Sequence, residues 1–200
     1  MKFDLEHDWQ GNMSTPRKNL GEKTKLHLFF VLSLIFLFTG LIGHEPWRPL
    51  ESTSISIILD IIQNNQVVFP MAASENLITH PPLYSYVAAA FGKLLSPLLP
   101  LHDAARLSNI FWVGLTLISL GLMTRELWGQ GFGRQAGLIF IGSVGLILNI
   151  HSLMPEIATL LGYTMSLYAF SLYFRRPFRA SMVFGFGSGI AFLSGGIEPL

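Results

Sequence analysis

Long uncharged apolar runs alternate with short polar breaks along most of the chain. Leu26–Gly43, Leu107–Thr124, Gln135–Pro155, Ile157–Phe174 and Ala180–Ile197 each hold eighteen to twenty-one residues without Asp, Glu, Lys or Arg. A helix needs ~20 such residues to cross ~30 Å of hydrocarbon, so each run predicts a membrane span. Pro82–Leu101 is apolar too, but Lys93, Pro97 and Pro100 interrupt it. The helix that remains has about fifteen residues, or about 22 Å, which is too short to cross. Before it, Ser52–Gln63 (STSISIILDIIQ) places Ile55, Ile58, Leu59 and Ile62 at helical spacing, and Asn64-Asn65 ends the run. The pattern predicts a short helix lying on the membrane, an extended QVVFP stretch, and a second interfacial helix from Pro81, a residue suited to a first helical turn. Residues 1–25 carry five Lys/Arg and four acids among Gly, Asn, Ser and Pro, and read as a flexible tail. The run from Leu26 has no small-x-small site after it, so it predicts an uncleaved anchor and not a signal peptide.

Composition sharpens this picture. Hydrophobic residues make up 50% of the chain and charged residues 12%, with a mean hydropathy of +0.49. A soluble domain carries about 25% charged residues. The expected class is therefore an all-α integral membrane protein of about five spans. The net charge of +1 leaves no basic excess to displace counterions, which excludes a nucleic-acid binder driven by bulk charge. The absence of cysteine excludes disulfides, thiolate chemistry and cysteine-ligated metals.

Charge sidedness fixes the orientation. If Pro82–Leu101 does not cross, the tail and the loops with Arg125, Arg134, Arg175, Arg176 and Arg179 share one side, which holds ten Lys/Arg against three (Arg48, Lys93, Arg106). If it crosses, the split is six and six with Lys93 stranded in lipid. The positive-inside rule prefers the first arrangement, with the N-terminus cytoplasmic and an outer loop over residues 44–106.

That loop and the neighbouring outer turn carry the ionisable residues: His44, Glu45, Arg48, Glu51, Asp60, Glu75, His80, His102 and Asp103, then His151 and Glu156, with Glu198 after the last span. Glu156 follows Pro155 in a first helical turn, where the helix dipole favours an anion. The six histidines show no HExxH-type spacing, so no metal site is expected on them. The glycines of Gly185–Gly189 form a small-residue packing face. Gly129–Gly133 (GQGFG) lies on the arginine-rich side and reads as a turn.

The order of these features resembles the GT-C glycosyltransferases, within them the group of bacterial aminoarabinose transferases and protein O-mannosyltransferases. Four local matches carry it. His44-Glu-Pro-Trp-Arg-Pro-Leu-Glu51 is similar to a first-loop block ending in Asp-Glu. Thr79-His-Pro-Pro-Leu-Tyr-Ser-Tyr86 is similar to a Lys-Pro-Pro-Leu-Tyr-Tyr block about thirty residues later. Pro100-Leu-His-Asp-Ala-Ala-Arg-Leu107 resembles the block leading into the second span, and Phe192-Leu-Ser-Gly-Gly196 resembles Phe-Leu-Ser/Thr-Lys-Gly. The likeness covers residues 26–198, about the N-terminal half of a full family member.

The resemblance implies transfer of a sugar from a polyprenyl phosphate to an acceptor hydroxyl at the outer face of a bacterial inner membrane. No cofactor is expected. Glu51 and Glu156 take the catalytic carboxylate positions, and His80, Arg48, Glu45 and Tyr84 the substrate-binding ones. The chain departs from the pattern at Leu50, where the family has Asp, at His80 and Gly195, where it has Lys, and at Glu156, where it has Asp. These departures raise an alternative, a catalytically degenerate relative acting as a membrane partner or regulatory subunit. A channel or transporter subunit is the third reading, but it would want ionisable or broken-helix positions near mid-membrane, where spans two to four offer only Ser, Thr, Asn109 and Asn149.

Overall fold

The computed structural model describes residues 21–43, 45, 50–64 and 81–196. Among them every regular element is an α-helix. In chain order these are α1 (Glu22–Phe38), α2 (Leu50–Asn64), α3 (Leu83–Leu95), α4 (Leu101–Arg106), α5 (Ser108–Trp128), α6 (Phe132–Ile141), α7 (Val144–Asn149), α8 (Glu156–Leu172) and α9 (Pro177–Gly195). The tail over residues 1–20, His44, Arg48, the QVVFP stretch, Glu75, His80 and Glu198 lie outside the described residues.

The helix boundaries follow local chemistry. Gly129 (φ 98°) ends α5 and Gly131 (φ 102°) precedes α6, left-handed conformations that glycine adopts without cost, so GQGFG reverses the chain. Pro177 opens α9, where its missing N–H has no helical partner to lose. Gln135–Pro155, expected as one helix, is two. Ser143 is extended between α6 and α7, and its Oγ donates to the Ile139 carbonyl at 3.0 Å. A serine that bonds back to the previous turn, beside the weak helix former Gly142, offers the backbone an alternative to the helical ladder. By contrast, α4 and α5 run together over Leu101–Trp128, twenty-eight residues. Among the described residues this is the one helix that is both long and apolar enough to cross a hydrocarbon layer.

The packing centres on α8, which lies against α9 and α5. Gly162 lets α8 approach α9 backbone to backbone: a Cβ there would stand 2.6 Å from the Gly187 carbonyl and the Ala191 amide. The expected packing face of Gly185–Gly189 narrows to Gly187, since Gly185 and Gly189 look onto open space. Similar close approaches hold α6, with Gly133 against the Gly121 backbone of α5 and Gly137 against the Phe29 ring of α1.

Helices α2, α3 and α4 gather at one end of this bundle. Ile62 and Leu101 meet at Gly92 of α3, and Pro81 packs on Gly196 just past α9. At the opposite end Lys23, Arg125 and Arg134 line one cavity, and Arg175 Nη1 pairs with Glu126 Oε2 at 3.3 Å. Between the ends the helices expose large apolar side chains. Phe30, Ile35, Ile118, Ile139, Phe170 and Phe186, from five different helices, are each more than half exposed.

Candidate active site

The apolar stripe of α2 continues into polar residues. Ile58 is buried, and Glu51 and Ser54 are buried on the same face. The Glu51 carboxylate and the Arg106 guanidinium are both 0% exposed and meet in a two-pronged ion pair. Arg106 Nε donates to Oε1 at 3.2 Å and Nη2 donates to Oε2 at 3.0 Å. Oε1 also accepts from the Leu153 amide at 2.9 Å. Arg106 Nη1 donates to Asp103 Oδ1 at 3.1 Å, and Asp103 Oδ2 accepts from the Gly43 amide at 3.3 Å.

Two carboxylates here share one guanidinium. The remaining acceptor capacity is met by two backbone amides, Leu153 on Glu51 and Gly43 on Asp103, and His102 Nε2 stands 3.6 Å from Asp103 Oδ1. Burying charges costs several kcal/mol per ion unless pairing and hydrogen bonds compensate, so this satisfaction is what the site requires.

A second set of bonds runs beside the first. Burial pushes the Tyr84 phenol far above its ordinary range. Ser108 and the Met154 backbone oppose that shift, and the charges of Glu51 and Glu156 add to it. The phenol therefore stays neutral and donates to Asn109 Oδ1 at 2.8 Å. Asn109 Nδ2 donates in turn to the Ile150 and Ser152 carbonyls at 3.0 and 2.9 Å. His151 Nε2 lies 2.9 Å from the Phe36 carbonyl, which can only accept, so this nitrogen carries the proton.

Four of these bonds converge on the turn between α7 and α8. Asn109 holds the carbonyls of residues 150 and 152, His151 is tied to α1, and Glu51 holds the Leu153 amide. Immediately beyond the turn, Pro155 caps α8 and Glu156 stands exposed in its first turn.

The expected site residues separate accordingly. Glu51, Tyr84 and Glu156 occupy the same end of the bundle, both carboxylates within electrostatic reach of the Tyr84 phenol. Glu51 and Tyr84 are buried, while Glu156 and Glu45 are exposed. His80 and Arg48 lie outside the described residues. Asp103, Arg106 and Asn109 complete the buried cluster without having been singled out as site residues. The signal for Asp103 and Arg106 was their spacing of three in a short helix, which puts opposite charges on one face. Among the described residues no three His, Asp or Glu side chains come together to hold a metal ion. Comparison with protein-family models, with curated proteins and with solved structures finds no match for the chain.

Proposed function

We propose that the chain is a multi-pass membrane module of the GT-C glycosyltransferase type, transferring a sugar from a polyprenyl phosphate to an acceptor hydroxyl at the outer face. The apolar side chains exposed around the bundle support a lipid setting, since soluble monomers rarely expose contiguous apolar area beyond a few hundred Å². The gathering of Lys23, Arg125, Arg134 and Arg175 at one end supports a cytoplasmic placement of that end.

The observation that carries the catalytic reading is the clamped turn before Glu156. Buried groups from α1, α2 and α5 fix this turn, and the first exposed carboxylate after it stands at a helix N-terminus. Glu51 is then a positioning residue, because both of its oxygens are engaged. Glu156 is the general base. It takes the acceptor hydroxyl proton as the oxygen attacks the anomeric carbon. The bond from that carbon to the phosphate oxygen breaks, and the phosphate leaves on its polyprenyl carrier. His80 and Arg48 are assigned to the leaving phosphate.

The alternative, a catalytically inactive partner subunit, draws on Leu50 beginning α2 beside the fully paired Glu51. Leucine can neither orient a hydroxyl nor accept its proton. Transfer from a polyprenyl-phosphate sugar in reconstituted vesicles separates the two. The catalytic reading expects turnover that Glu156→Gln lowers by about 10²–10⁴-fold. No turnover by the unmodified chain, with activity appearing on Leu50→Asp, establishes the inactive relative.

A further inference from the structure

Tyr84 sits in the first turn of α3, and the GT-C resemblance places it among the substrate-binding residues. At 0% exposure, however, the side chain is turned wholly into the protein. Its phenol reaches the turn between α7 and α8 through Asn109 of α5. Only one orientation of the Asn109 amide fits its surroundings. The Ile150 and Ser152 carbonyls can only accept, and they lie 3.0 and 2.9 Å from the amide nitrogen, so both of its hydrogens go to them. Oδ1 is left facing Tyr84 and accepts from the phenol at 2.8 Å. The Met154 backbone stands beside the same phenol oxygen.

Three properties suit this pair to hold the turn. Tyr84 is itself firmly placed, because Ala88 and Gly92, one and two turns along α3, are buried on the same face. Asn109 is buried too, so no water competes for its bonds. The two carbonyls it holds flank His151, and the chain then runs through Leu153 and Met154 into Pro155 (φ −59°) and Glu156. Glu51 also holds this turn, but its oxygens serve Arg106 as well, whereas the phenol–amide pair acts on the turn without touching that ion pair.

We propose that Tyr84 and Asn109 are positioning residues: the phenol sets the orientation of the Asn109 amide, and the amide sets the turn that presents Glu156. The catalytic use of Glu156 rests on the transferase reading above. The hold on the turn does not. Tyr84→Phe keeps the ring and removes one oxygen, which leaves the buried Oδ1 without its donor. The amide is then free to turn over and set Oδ1 against two carbonyls. The turn loses its tie to α5 while the pairing of Glu51 with Arg106 stays in place.

The test uses the full purified chain in mild detergent and follows amide hydrogen exchange by mass spectrometry. Tyr84→Phe and Asn109→Leu are expected to speed exchange over residues 150–154 about tenfold or more, with the middle of α8 and of α9 unchanged. Tyr173→Phe, which removes an exposed phenol at the far end of α8, leaves the turn as in the parent. If Asn109→Leu does not fold, Tyr84→Phe, which loses a single oxygen, carries the measurement. Transfer from a polyprenyl-phosphate sugar gives a second readout. A positioning role lowers kcat about tenfold or more in Tyr84→Phe with KM near the parent value, whereas a substrate contact raises KM. Unchanged exchange over residues 150–154 in Tyr84→Phe, equally faster exchange throughout the protein, or a raised KM at unchanged kcat overturns the proposal. Local release of the turn in a chain without any turnover upholds the hold on the turn and counts against the transferase reading alone.

Discussion

Glu51 precedes Ile55 by one helical turn and Ile58 by two, so its carboxylate rides on the face that α2 turns inward. That register decides its role more firmly than the local motif does. A charge on a buried stripe must find a partner, and Arg106 supplies it from the end of α4. Removing one member of a buried ion pair leaves the other uncompensated, at a cost of about 3–5 kcal/mol. Glu51→Ala is therefore expected to lower the unfolding free energy by that order in detergent denaturation. Glu156→Gln, at an exposed position, should stay within about 0.5 kcal/mol of the parent. Equal losses would remove the distinction between a positioning and a presented carboxylate. Tyr84 adds a pH signature. Its pKa is raised in the folded state, so its contribution to stability is full below about pH 10, the free phenol's value, and falls as the pH rises beyond it. Tyr84→Phe should flatten that alkaline slope in unfolding measured against pH. The carboxylates were legible in the sequence as candidates. Which of them is buried was not read from it, although the alignment of Glu51 with the isoleucine stripe carried the signal.

At the level of helices, the apolar runs predicted where most elements lie, because long stretches without charge leave helical spacing as the main pattern. They could not predict the break between α6 and α7. Gly142 and Ser143 are uncharged, so the run reads through them, while the serine hydroxyl bonds back to Ile139 and the chain turns extended. Glycine spacing misled in a related way. Gly185, Gly187 and Gly189 look equivalent in sequence, but rotation about the helix axis presents only Gly187 to Gly162. Gly162→Leu should separate α8 from α9 and lower the unfolding temperature strongly, since its Cβ has backbone atoms at 2.6 Å and no flexible neighbour to displace. Gly185→Leu, facing open space, should leave that temperature almost unchanged. Comparable losses from both would contradict this assignment of the interface.

For the molecule as a whole, the proposed membrane placement requires two chemically different ends joined by an apolar belt. The paired charges of Glu51, Asp103 and Arg106 lie under α2 and α3 at one end, and the basic side chains of Lys23, Arg125 and Arg134 line a cavity at the other. Helix α5 spans the distance between them, about 30 Å over its 21 residues. The chain contains no cysteine, so single introduced thiols report each end without background. Ser96, just past α3, and Gln130, in the turn after α5, are both exposed and belong to opposite ends. Intact cells expressing Ser96→Cys or Gln130→Cys, treated with a membrane-impermeant maleimide, test the central claim directly. Labelling of Ser96→Cys from outside, with Gln130→Cys labelled only after permeabilisation, is the predicted result. Labelling of both from the same side, or of Gln130→Cys alone from outside, would contradict the topology and the outer-face site with it.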